Sequence, residues 1–305
     1  MQVYKHWKKA QKTLYNFSEL KYNTDITNGR HALKKEILKM KKLIALLLAT
    51  LMVLAFAGCG SEDTGNNSGR TFIMGIDAEY PPFSYLDDNG EYAGFDVEIC
   101  KAACESLGWN FEVFAVNWDQ KLVQLDANEC DCVWSGMTIL DSMKDAGYVI
   151  SEPYFDNTQV LLVLNDSGID SSKDLAGKVV AVQLGTSGEA LLNEDLSELK
   201  ATFKDLVTCD SFLKCFTELE GGAVDAVLVD LPVAKSYVES KGNGYKIINE
   251  ELGAEQYGIA FRKGDSETCK AIEGAVQKLV ESGKYAEIAN NYPDIVNNLI
   301  FLNEK

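Results

Sequence analysis

From Thr71 onward the apolar residues fall into short runs whose period alternates. TFIMGIDA, DVEICKAACESLG, NFEVFAV, DQKLVQLDAN and CDCVWSGM read in turn as strand, helix, strand, helix and strand. Apolar runs of a few residues suit buried strands, and apolar positions three or four apart suit one face of a helix. A second series follows from about Thr158: strands NTQVLLVL and GKVVAVQL, helices SGEALLNEDL and DSFLKCFTELEGG, and strand AVDAVLVD. The strand EQYGIAFRK and the helical CKAIEGAVQKLVESGKYAEIANNY close the chain. This alternation predicts an α/β fold with mostly parallel strands. Residues Arg70 to Lys305 are numerous enough for two lobes. A ligand is then expected at strand carboxyl ends or between the lobes.

Before Thr71 the pattern differs. MKKLIALLLATLMVLAFAGC sets Lys41 and Lys42 ahead of an uncharged block, Leu43 to Ala57, that ends in small residues. That is the layout of a secretory signal peptide. The block is shorter than the ~20 apolar residues a membrane-spanning helix needs. FAGC resembles a bacterial lipobox, which implies that Cys59 is the acylated first residue of the mature chain. Residues 59–69 then read as a flexible tether. On this reading residues 40–58 are the signal peptide and translation starts at Met40. Residues 1–39, with nine basic and three acidic side chains, are a mis-assigned extension.

Residues 1–58 hold 11 of the 29 basic and 3 of the 46 acidic residues, so the rest of the chain carries 18 against 43, a net −25. Nucleic acid and an anionic membrane surface are poor partners for such a domain. Both histidines, His6 and His31, fall in the upstream extension. The mature chain therefore lacks the usual general base and the commonest metal ligand, and no metal or cofactor is expected. Seven cysteines remain besides Cys59: Cys100, Cys104, Cys130, Cys132, Cys209, Cys215 and Cys269. Cys100 and Cys104 should share a helix face, and Cys130 and Cys132 a strand face. Their spacing differs from the turn-borne CxxC of zinc sites, so buried thiols are expected.

AGFDVEICKAACESLGW places Asp96 at a plausible helix cap ahead of an apolar face. Together with DAEYPPFSYLDDNGEYAGFDVEI and DCVWSGMTI it resembles the bacterial extracellular solute-binding proteins of family 3, polar amino acid receptors of ABC importers, from about Phe72 to Tyr292. The resemblance implies a two-lobed periplasmic-binding-protein fold of type II. Lobe 1 is expected at 70–157 plus 259–305 and lobe 2 at 158–258, with hinge crossings near Asp156 to Gln159 and Glu255 to Gly258. A monomer anchored by lipid to the outer face of the membrane would close on an amino acid and present it to a permease. The same fold hosts cyclohexadienyl-type dehydratases and ligand-sensing modules. The missing histidine and the lack of a nucleophile-base grouping argue against an enzyme.

The resemblance also assigns roles by position. Asp230, at the end of AVLVD, matches the acid that holds the α-ammonium. The Ser135 carbonyl, Gly136 and Thr138 match contacts to the ammonium and carboxylate. Tyr80 and Trp118 match positions that sandwich the ligand side chain, and Asp77 matches one that meets its distal polar group. Around Thr186 and Ser187, in QLGTSGEALL, backbone N–H groups at a helix start are expected to face an anion. The family's carboxylate-binding arginine is replaced here by Met143. Lys144 together with the helix start at Thr186 is the expected substitute. A basic or neutral polar amino acid is the preferred ligand, and an amine without an α-carboxylate is the alternative.

Overall fold

The computed structural model describes residues 69–303. Cys59, the expected extension and the signal peptide lie outside them. The first half runs β1 (Thr71–Ile76), β2 (Glu79–Tyr80), β3 (Ser84–Leu86), β4 (Tyr92–Ala93), α1 (Phe95–Leu107), β5 (Asn110–Ala115), α2 (Lys121–Asp126), β6 (Cys132–Thr138), α3 (Asp141–Asp145) and β7 (Val149–Ile150). After β8 (Phe155–Leu164) come β9 (Val179–Gln183), α4 (Ser187–Asn193), α5 (Ser197–Lys200), β10 (Asp205–Cys209), α6 (Phe212–Glu220), β11 (Ala226–Asp230) and α7 (Leu231–Lys241). The long β12 (Tyr245–Phe261) leads to α8 (Ser266–Glu281), α9 (Lys284–Ala289) and α10 (Ile300–Asn303).

The nine-stranded main sheet has the order β10-β9-β11-β8-β12-β6-β1-β5, with β7 on β12. β1 is parallel to β5 and β6, and β9 is parallel to β10 and β11. These two parallel sets are the cores of the two lobes of a type II periplasmic-binding-protein fold. Strands such as CVWSGMT of β6 and AVLVD of β11 are buried at every position, as parallel strands covered on both faces must be. Between the sets run β8 and β12, antiparallel to each other and to their outer neighbours. Here Asp156 pairs with Gln256, Asn157 with Glu255 and Gln159 with Gly253. The two segments singled out as crossings, around 156–159 and 255–258, thus lie side by side in one ribbon.

β12 begins at Tyr245, well before the predicted EQYGIAFRK, because YKII pairs with the end of β8 ahead of a register shift between Ile248 and Gly253, where the polar NEE masks the strand period. The closing helical segment breaks at Gly283, whose φ of 80° ends α8 and starts α9. Asp96 does not cap α1. Gly94 holds that place with φ 121°, where an added Cβ would sit 2.3 Å from the Phe83 carbonyl oxygen. The Asp96 carboxylate instead crosses to β6.

The seven described cysteines are free and buried. Cys132 joins Cys100 and Cys104 in the main core. Cys130 precedes β6 and packs with Trp118, Leu125 and Met137 in a separate cluster, so the two do not share a strand face. Burial raises the thiols of Cys130 and Cys269 to about 12, which leaves little reactive thiolate. Ellman titration of the chain from Gly69 should therefore count seven thiols in denaturant and almost none at once in the native protein. Fast native reaction of several would contradict this packing.

Candidate functional site

Where β11 ends, a run of apolar residues delivers Asp230 to the first turn of α7 with Pro232 just behind it. Asp230 occupies the N-cap position but makes no capping bond. Its Oδ1 accepts instead from Asn157 Nδ2 at 2.7 Å, Gln159 Nε2 at 2.9 Å and the Tyr257 hydroxyl at 2.7 Å. The same two amides donate to Glu255 Oε1, at 2.6 and 3.0 Å. Burial and the neighbouring Glu255 carboxylate hold the Asp230 carboxyl well above its ordinary range. Neither acid has a Lys or Arg ion-pair partner among the described residues. The donors all come from alternate positions on β8 and β12, so the ribbon between the lobes presents one polar stripe.

The Tyr80 hydroxyl hydrogen-bonds that of Tyr257 at 2.8 Å. The rings of Tyr80 and Trp118 are near parallel, 11° apart in plane with centroids 6.5 Å apart. Gly136, at the end of β6, has φ 52°, and its N–H donates to Asp96 Oδ2 at 2.8 Å. A Cβ there would lie 2.3 Å from the Tyr80 ring, so only glycine lets this strand end approach the aromatic wall.

A narrow cavity of about 20 Å³ lies between the lobes, with room for about one water. Tyr80, Trp118, Gly136, Thr138, Thr186, Ser187 and Asp230 line it. Contacts across the cleft close it: Thr138 Oγ1 to Ser187 Oγ at 3.1 Å, Lys121 Nζ to the Gly185 carbonyl at 2.7 Å and Gln183 Nε2 to Asp77 Oδ2 at 2.7 Å. Thr186, not Ser187, caps α4, accepting from the Glu189 N–H.

Three residues singled out in the sequence are placed elsewhere. Asp77 lines an adjoining pocket with Asn117 and Asp210, and burial raises its carboxyl. Ser135 is fully buried, its hydroxyl bonded to Ser84 and to the Asp77 N–H. Lys144 has a half-exposed side chain beside Asp141 on α3, outside the cavity. Met143, by contrast, does line it, as does Lys121. Lys121, Asn157, Gln159, Glu255 and Tyr257 were not singled out. Their signals were modest: Lys121 is three residues after Trp118, and N-x-Q in β8 and E-x-Y in β12 repeat at the strand period.

Two α/β lobes joined by an antiparallel ribbon, with a charged and aromatic cleft between them, define the solute-binding class. The family model for bacterial extracellular solute-binding proteins, family 3, matches residues 72–294. The chain belongs to this family. A probable histidine-binding protein of Neisseria gonorrhoeae is 33% identical over 264 residues, 84% of this chain and 96% of its own. The arginine-binding extracellular protein ArtP of Bacillus subtilis is 31% identical, over 83% of this chain and 98% of its own. The L-cystine-binding protein TcyJ of Escherichia coli is 30% identical, over 87% and 95%. Among solved structures, a histidine-bound substrate-binding protein of an ABC uptake transporter from Streptococcus pneumoniae superposes with TM-score 0.70 at 29% identity, covering 73% of this chain and 92% of that one. An ancestral arginine-binding protein bound to glutamine does so with TM-score 0.67 at 37% identity, covering 73% and 97%.

Asp96 supports this cleft from behind. Its Oδ2 also accepts from the Tyr154 hydroxyl at 2.7 Å, and burial raises its carboxyl to about 7 from 3.8. A carboxyl raised on folding contributes stability below its unfolded value that is lost as pH rises through the folded one, here between about pH 4 and 7. The change is on the order of 4 kcal/mol. Asp96→Asn keeps an acceptor and removes the charge, so its denaturant stability should fall less than wild type between pH 5 and 8. Parallel pH profiles would show that Asp96 is not the titrating group.

Proposed function

We propose that this protein captures a free polar amino acid, neutral or basic, and delivers it to the permease of an ABC importer. One observation carries the reading: the buried Asp230 and the partly buried Glu255 carboxylates share neutral donors and have no Lys or Arg ion-pair partner among the described residues. Two acids so placed repel each other, and an α-ammonium relieves both the repulsion and the desolvation of Asp230. All three donors meet Oδ1, which leaves the second oxygen to the ligand. The near-parallel Tyr80 and Trp118 rings offer faces for an aliphatic, amide or cationic side chain. Gly136 and Thr138 supply the adjoining polar contacts. The ligands for which those relatives are named, histidine, arginine and cystine, and the bound glutamine of one solved structure all carry the same ammonium.

The cavity has room for about one water and so none for an amino acid, and a ligand enters with the lobes apart and is enclosed as they close about the ribbon. The free energy for closure is the ligand's higher affinity for the closed form. The chain is a binding protein and not a dehydratase on this reading, and purified protein should leave prephenate and arogenate unchanged.

Isothermal titration of the chain from Gly69 with the twenty amino acids tests the ligand class. Asp230→Asn should weaken the best binder about 30-fold or more, the cost of truncating one partner of a buried charged pair. Unaltered affinity in that variant would remove Asp230 from the site. For the lipid anchor, the Cys59→Ala protein expressed from Met40 should leave the membrane fraction for the soluble one. Retention at wild-type level would exclude acylation at Cys59.

A further inference from the structure

Lys121 is the cleft's unexplained charge. Nearly all of it is buried, at 7% exposure. Its ammonium sits 4.7 Å from the centre of the Trp118 ring and donates to the Trp118 and Gly185 carbonyls at 3.1 and 2.7 Å. An ammonium has three N–H donors, so one remains. No carboxylate lies within ion-pair distance of it among the described residues. Asp119, Asp77 and Glu189 are the acids that face it from further off. A buried cation without an anion is costly and is kept where an anion arrives.

The surroundings say which anion. Lys121 lines the cavity together with Met143, the residue standing where a carboxylate-binding arginine is expected, and with Thr138, Gly185, Thr186 and Ser187. The start of α4 is a weak anion site by itself. The helix has seven residues, and Glu189 already puts its own carboxylate on the Gly185 N–H at 2.7 Å. Asp230 and its ribbon donors supply the anionic part of the cleft, and Lys121 supplies the cationic part. Lys144, the other candidate, stays outside.

We infer that Lys121 binds the ligand's α-carboxylate, replacing from the start of α2 the arginine that Met143 displaces from α3. This assignment rests on the reading that the cleft takes a free amino acid. It restricts the ligand to molecules carrying both an ammonium and a carboxylate, and it excludes simple amines.

The test pairs two ligands with two variants. Titrate wild type, Lys121→Met and Lys121→Arg with the tightest-binding amino acid and with its carboxamide, which keeps the ammonium and side chain but lacks the negative charge. Wild type should prefer the acid at least tenfold. Lys121→Met should lose tenfold or more for the acid and little for the amide, and Lys121→Arg should recover most of the preference. Equal losses for both ligands would make Lys121 a latch between the lobes and overturn the assignment, as would an unchanged affinity for the acid. Burial lowers this ammonium to about 8, so the wild type's affinity for the acid should fall between pH 7 and 9 more steeply than that of Lys121→Arg. A wild type that binds none of the twenty amino acids would instead refute the underlying reading of the cleft. Apo melting temperatures of the variants separate loss of binding from loss of fold.

Discussion

The pairing of β8 with β12 is the constraint on which the rest of this molecule depends. These two strands turn two parallel sheets into one, and they are antiparallel to everything they touch. The pairing also sets the site's chemistry, because residues directly opposite across a ladder bring their side chains onto one face. Asn157 opposite Glu255 and Phe155 opposite Tyr257 place an amide, an acid and a phenol where β11 delivers Asp230. The ribbon that joins the lobes is thus also the ribbon that holds the charge.

A second support runs through α1. The acid two residues into that helix leaves its own first turn and crosses to the Gly136 N–H of β6. Gly136 can then hold a left-handed conformation against the Tyr80 ring, a contact that excludes any side chain at that position. A helix start, a strand end and an aromatic wall are fixed by one carboxylate, whose burial without a counter-ion is the cost of that arrangement.

The α/β order of the lobes was legible because their strands are continuous apolar runs and their helices are amphipathic. The antiparallel ribbon was less so: FDNTQ and EQY carry polar residues at the positions that meet Asp230, namely Asn157, Gln159, Glu255 and Tyr257. Asp230 stood out at the end of an apolar strand, and Tyr80 and Trp118 through the family positions they match. Asn157, Gln159 and Glu255 did not, since a polar residue in a strand reads as surface until its cross-strand neighbour is known. Lys121 was hidden for a related reason. A lysine at a helix start is ordinarily solvated, and only the approach of Gly185 from the other lobe buries it.

The seven enclosed thiols make oxidation a record of unfolding. While the chain is folded, burial holds the sulfurs apart from oxidants and raises the thiols of Cys130, Cys215 and Cys269. When a lobe opens far enough to expose them, an odd set of cysteines with no native partners can join in many ways, and each bridge blocks return to the packed core. In an oxidising setting the lifetime of this protein is then governed by how often it opens, and its yield on refolding by how quickly the two cores close over their sulfurs.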